Sequence, residues 1–163
     1  MIEATLLYLV KGDEILLAEK GRKIGAGKVN GVGGKMEPSD KNITATMIRE
    51  AIEEIGVTPT KFQKMAEMVF YNPGDGEDPK PQEMRVHVFV ATEWKGEPTS
   101  TIEAKTPRWF NKNGLPFERM LPDDKFWLPR VLGGEKLVGK FYFNDDWTIE
   151  KYELSEVSEF GDE

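Results

Sequence analysis

Glu50, Glu53 and Glu54 stand with Arg49 inside the ten residues MIREAIEEIG, Met47 to Gly56. Carboxylates crowded in this way repel one another, by roughly 0.2–0.5 kcal/mol per like-charge pair on an exposed helix. Either the helix carries a solvated acidic side or something positive sits there. Hard divalent ions take oxygen ligands, commonly carboxylates together with substrate phosphates. Two neighbouring stretches favour the second alternative. NGVGGK, Asn30 to Lys35, is a glycine-dense loop whose backbone can approach a ligand closely. Lys20, Arg22, Lys23, Lys28 and Lys35 form a basic segment with no acid among them. Acidic helix, glycine loop and basic segment together point to a polyphosphate–metal site, with Mg²⁺ or Mn²⁺ as the ion.

The elements that must position these groups follow from periodicity. At about 100° per residue, Ile48, Ala51, Ile52 and Ile55 share one helix face and Glu50, Glu53 and Glu54 lie opposite. Arg49 precedes Glu53 by four residues, the spacing of a helical ion pair. Gly56 is the expected C-cap, with Pro59 just beyond. Strands are expected at 4–10, 14–19, 64–71, 84–94 and 106–110, with a last pair in KLVGKFYF and WTIEKYEL. NPGDGEDPKPQ reads as a long acidic loop, and 121–134 as a short helix bracketed by Pro and Gly. Strands outnumber helices and the helices are far apart, so an α+β class in a single domain, residues 1–163, is expected.

Composition narrows the function classes. A formal net charge of −7 is poorly suited to a long phosphate backbone, so no stable nucleic-acid partner is expected. No apolar run approaches the ~18 residues of a membrane span, and ATLLYLV reads as a strand rather than a signal peptide. Without cysteine there is neither disulfide nor thiolate metal site, which fits a cytoplasmic protein. His87, in RVHVFV, reads as a strand residue, and Trp109, Trp127 and Phe141 as core.

GGKMEPSDKNITATMIREAIEEIGV resembles the Nudix box, G-x5-E-x7-R-E-U-x-E-E-x-G-U with U a bulky apolar residue. Arg49, Glu50, Glu53, Glu54, Gly56 and Val57 match it. The first half departs: five residues after Gly34 comes Asp40 rather than Glu, and eight residues separate it from Arg49. Ala51 is also small for its position. GAGKVNGVGGK, VHVFV, PRWF, LPFERMLPDDKFWLP and GKFYF extend the resemblance, over roughly Thr5 to Val157, to the MutT-type branch acting on oxidised purine nucleoside triphosphates.

The resemblance implies a mixed sheet between helices and Mg²⁺-dependent release of monophosphate and pyrophosphate from substrates such as 8-oxo-dGTP. It implies that Glu50, Glu53 and Glu54 hold the metal with the Gly33 carbonyl, and that Arg49 orients Glu53. Glu53 or Glu54 would act as base. Asn30, Asp123 and Asp124 match residues that read the purine edge, a task two adjacent acids perform when one is protonated. The competing role for Asp123-Asp124, after Pro122, is a helix N-cap. Lys20 matches a lysine near the substrate and Phe70 an aromatic wall. Leu121, Ile24 and Val29 stand where the family carries rings, and Ala104 stands for a ligand glutamate, with Glu103 one position away. The lost rings keep a broader nucleotide range open, including nucleotide-linked metabolites and triphosphorylated RNA ends. A silent nucleotide sensor is disfavoured by the intact Arg49, Glu50, Glu53 and Glu54 set. A monomer acting on a small nucleotide is the expected assembly.

Overall fold

The computed structural model describes residues 1–21, 27–74 and 78–161. Arg22, Lys23 and Ile24, part of the expected basic segment and pocket wall, lie outside the described residues. The strands are β1 (Ile2–Lys11), β2 (Glu14–Lys20), β3 (Val29–Asn30), β4 (Thr58–Asn72), β5 (Gln82–Lys95), β6 (Ala104–Asn111), β7 (Leu137–Phe143) and β8 (Ile149–Glu156). The helices are α1 (Ile43–Ile55) and α2 (Asp124–Leu132). The mixed sheet runs β3-β2-β1-β5-β4-β7-β8, with β6 on the other side of β2. The α+β class is therefore as expected. β4 and β5 are longer than the apolar runs suggested, because their pairing continues from Thr58↔Lys95 to Asn72↔Gln82.

Alternation along the strands builds two cores, one on each face. Leu7 and Leu9 of β1 and Phe89 and Ala91 of β5 pack with Met47, Ala51 and Ile55 of α1. Tyr8 of β1, Val88 of β5 and Met68 of β4 pack with Trp127, Leu128 and Val131 of α2.

α1 starts where the Asn42 side chain accepts the Ala45 N–H at 2.8 Å. It ends at Gly56, in the left-handed region with φ 72° and donating to Ile52. Its buried face differs from the one periodicity outlines. Ile52 is 48% exposed, whereas Glu54 is 6% exposed alongside Met47, Ala51 and Ile55. The helix is turned so that one carboxylate points inward, and a backbone donor described below accounts for it.

β1 and β2 pair only around Val10↔Ile15 and Lys11↔Glu14 before diverging. Into the gap runs the glycine loop: Val32 bridges Leu7, Lys35 bridges Ala4, and Thr5 donates to the Gly34 carbonyl at 2.9 Å. This divergence opens the cleft that holds the candidate site.

Candidate active site

A cleft of about 590 Å³ gathers Lys20, Asn30, Gly33, Glu50, Glu53, Glu54, Phe70, Leu121, Asp123 and Asp124. Every substrate- and metal-site residue expected from the sequence thus lines one space. Glu103 lines it too, although Ala104 occupies the aligned position.

At the acidic end Arg49 is the organiser. Its Nε and Nη2 meet the two Asp40 oxygens at 2.9 Å each, a bidentate pair. Its Nη1 donates to Glu50 at 2.9 Å and to Glu53 at 3.1 Å. Asp40 also accepts from the Glu37 N–H and the Thr46 hydroxyl, so the altered spacing before α1 still delivers a carboxylate to Arg49. The Arg49 guanidinium holds Asp40 well below the usual carboxylate range.

Glu54 is set differently. Its Oε2 accepts the Gly33 N–H at 2.8 Å. Burial raises its pKa from an ordinary 4.5 to about 7, against the pull of nearby Lys20 and that N–H, with Glu50 and Glu103 adding repulsion. Burial also raises Glu50. The glycines are required by space. A Cβ on Gly33 would lie 1.9 Å from the Thr5 carbonyl oxygen, and one on Gly34 2.5 Å from Glu50 Oε1.

The donor set fits a hard cation, since the Glu50 and Glu54 carboxylates, raised by burial, are relieved by positive charge. Their present placement differs from an ion cradle. Among the described residues no three acidic or histidine side chains converge on one point, because Glu50 and Glu53 turn to Arg49 and Glu54 turns to Gly33.

At the other end Asp123 and Asp124 are 3% and 2% exposed. The capping alternative fails: Asp123 sits at the N-cap of α2 but makes no side-chain capping bond. Instead Trp127 Nε1–H donates to Asp123 Oδ2 at 2.7 Å, so this tryptophan serves the site as well as the core. Asp123 Oδ1 and Asp124 Oδ2 are buried without partners in the structure. Burial raises both pKa values, and Asp123 raises Asp124 further. Sequence reading missed Tyr8, whose hydroxyl donates to Asn30 Oδ1 at 2.8 Å. Within ATLLYLV it reads as core, and only the carbonyl acceptor 22 residues later reveals a polar role. Burial and both aspartates push the Tyr8 phenol well up.

Phe70 forms the floor, stacked on Phe141 at 5.5 Å. Val29 packs in the core rather than the cleft. His87 is a buried strand residue with Nε2 2.8 Å from Glu3.

A mixed sheet between two helices, with Arg49 gathering carboxylates beside a glycine loop, defines a Nudix architecture, and the NUDIX domain model matches residues 2–131. The chain belongs to the NUDIX family, whose hydrolases generally use divalent metal ions. It is 36% identical over 156 residues to the oxidized purine nucleoside triphosphate hydrolase of Mus musculus, covering 96% of each chain. The enzyme of that name from Danio rerio is 35% identical, with 95% of each covered. Among solved structures, a mutator MutT protein from Bacillus halodurans superposes with a TM-score of 0.77 at 28% identity, covering 94% of this chain and 97% of that one.

Proposed function

We propose that this chain hydrolyses oxidised purine nucleoside triphosphates, of the 8-oxo-dGTP and 2-hydroxy-dATP type, to monophosphate and pyrophosphate. One observation carries the reading: a single cleft joins a buried aspartate pair with unpartnered oxygens to a cluster of carboxylates on α1. The names of the mouse and zebrafish relatives support it.

Glu50, Glu53 and Glu54, with the Gly33 backbone, would hold Mg²⁺ once Glu50 and Glu53 swing from Arg49. Bound there, the ion neutralises phosphate charge and acidifies water. Arg49, itself anchored by Asp40, returns Glu50 and Glu53 to fixed positions. Glu53 or Glu54 would take the proton of the attacking water. Lys20 balances the outer phosphates. With one of the two protonated, Asp123 and Asp124 together would offer a donor and an acceptor to the purine edge, with Asn30 held in place by Tyr8. Oxidation at C8 converts a ring nitrogen from acceptor to donor, and a mixed pair of acids can read that exchange.

Leu121 in the cleft favours a broader substrate range as the second reading. The test is kcat/KM for 8-oxo-dGTP, 2-hydroxy-dATP and dGTP with Mg²⁺. Preference for the oxidised purines is expected, and equal turnover of dGTP would establish the broader range. Glu53→Gln serves as the control that should abolish release of pyrophosphate. The same reading has a monomer acting in the cytoplasm on a small nucleotide, with no membrane and no stable nucleic-acid partner.

A further inference from the structure

The turn between β7 and β8 contains an anomaly. Trp147 has φ 66°, in the left-handed region, although Asn144, Asp145 and Asp146 precede it in the same turn. Asparagine, aspartate and glycine enter that region readily, whereas a bulky side chain there is a strained outlier. The turn over-determines the strain. Trp147 N–H donates to the Asn144 carbonyl at 2.9 Å, Asn144 N–H to Thr148 at 2.8 Å, and Thr148 N–H to Asp146 Oδ1 at 3.0 Å. Backbone strain of this kind points to a side chain held for a purpose.

What the strain achieves is placement of the indole. Its ring lies 5.5 Å from that of Phe143, tilted by 50°, and Phe143 in turn stacks on Phe70 at 6.1 Å. All three line the cleft. Phe70 and Trp127 are nearly enclosed, at 9% and 1% exposure, and Leu121 is aliphatic. Trp147 and Phe143 are the half-buried rings of the cleft among the described residues. Beside them the register carries a polar row, Gln82 paired with Asn72, and Asn72 follows Tyr71, which pairs with Tyr142 next to Phe143. Gln82 donates to Asp78 through Nε2 at 3.0 Å, while its Oε1 is buried without a partner in the structure. A ring face and a buried, unused carbonyl in one cleft suit a flat heteroaromatic ligand carrying an N–H.

We propose that Trp147 is a purine-stacking residue that sets affinity and specificity from the β7–β8 turn. This rests on the reading of the cleft as a purine nucleotide site. The alternative is that the indole merely covers Phe143.

Calorimetric titration of 8-oxo-dGMP, dGMP and pyrophosphate against wild type, Trp147→Phe and Trp147→Asn separates the two, with thermal midpoints recorded for each. Asparagine tolerates the left-handed backbone, so Trp147→Asn should melt no lower than wild type. It should bind the nucleotide at least about fivefold more weakly, the lower end of a lost base stack. Pyrophosphate, which has no base, should bind all three proteins alike, and Trp147→Phe should recover most of the nucleotide affinity. In turnover the loss should fall on KM, with kcat little changed. Wild-type affinity for the nucleotide in Trp147→Asn, or an equal loss for pyrophosphate, would overturn the proposal. If wild type prefers dGMP, the oxidised-purine reading fails while the Trp147 comparison is decided on dGMP. If it binds no purine nucleotide, both fall.

Discussion

Glu54 is held at a pKa of about 7 by burial, so it contributes to stability with a sign opposite to that of Asp40. A carboxyl whose folded pKa is raised favours the folded state while protonated. Its contribution is complete below the ordinary 4.5 and is lost as pH rises through about 7. Asp123 and Asp124, also raised, act in the same direction, whereas Asp40 loses its contribution only as pH falls below the usual carboxylate range. The metal-free protein should therefore lose thermal stability from about pH 5 to about pH 8, and Glu54→Gln should flatten that slope without abolishing it. Identical slopes for the two proteins would show that Glu54 ionises as it would in water. Arg49, Glu50 and Glu53 were legible in the sequence because helical spacing alone brings them together. Glu54's burial was not, since it depends on an N–H from Gly33, far away along the chain. The Asp123-Asp124 dipeptide was equally ambiguous by itself: a capping pair and a ligand-reading pair are written identically until the helix N–H groups are located.

The glycine loop and α1 form a fitted pair, and the two adjacent glycines should separate folding from function. At Gly33 an added methyl meets the backbone of Thr5, which cannot yield without moving β1, so Gly33→Ala should lower the melting temperature. At Gly34 the obstacle is the end of the Glu50 side chain, which can swing away. Gly34→Ala should stay folded yet weaken Mg²⁺ binding by roughly 10–100-fold, the usual effect of disturbing the support of a metal ligand. Unchanged Mg²⁺ affinity in Gly34→Ala would detach Glu50 from the metal role. The existence and type of nearly every element could be read from apolar periodicity. The helix orientation could not, because Ile48, Ala51, Ile52 and Ile55 make as good an apolar stripe as the one actually buried, and only the cleft decides which carboxylate goes inside. The reach of β4 and β5 was hidden in polar pairs such as Asn72↔Gln82 that carry no hydrophobic signal.

At the scale of the molecule, the family match ends at residue 131, yet β7 lies parallel to β4 from Ala66↔Leu137 to Tyr71↔Tyr142 and β8 pairs along β7. The last two strands are thus built into the same sheet, and the chain should melt in a single transition. Mg²⁺ at a hundredfold above its Kd should stabilise the folded state by about 2.7 kcal/mol, and Glu53→Gln should reduce that shift. Two transitions would contradict a single folding unit, and a full shift in the variant would remove Glu53 from the ion's ligands.

The parting of β1 from β2 gives the protein a seam bridged by the short backbone contacts of residues 31–35. A nucleotide lodged in the cleft beside it would touch both flanks at once, with its phosphates toward α1 and its base toward α2. It would act as a cross-brace, slowing deuterium uptake at the Thr5, Leu7 and Val32 amides more than at amides deep in β4 and β5. The opening that admits the substrate would then be closed by the substrate itself.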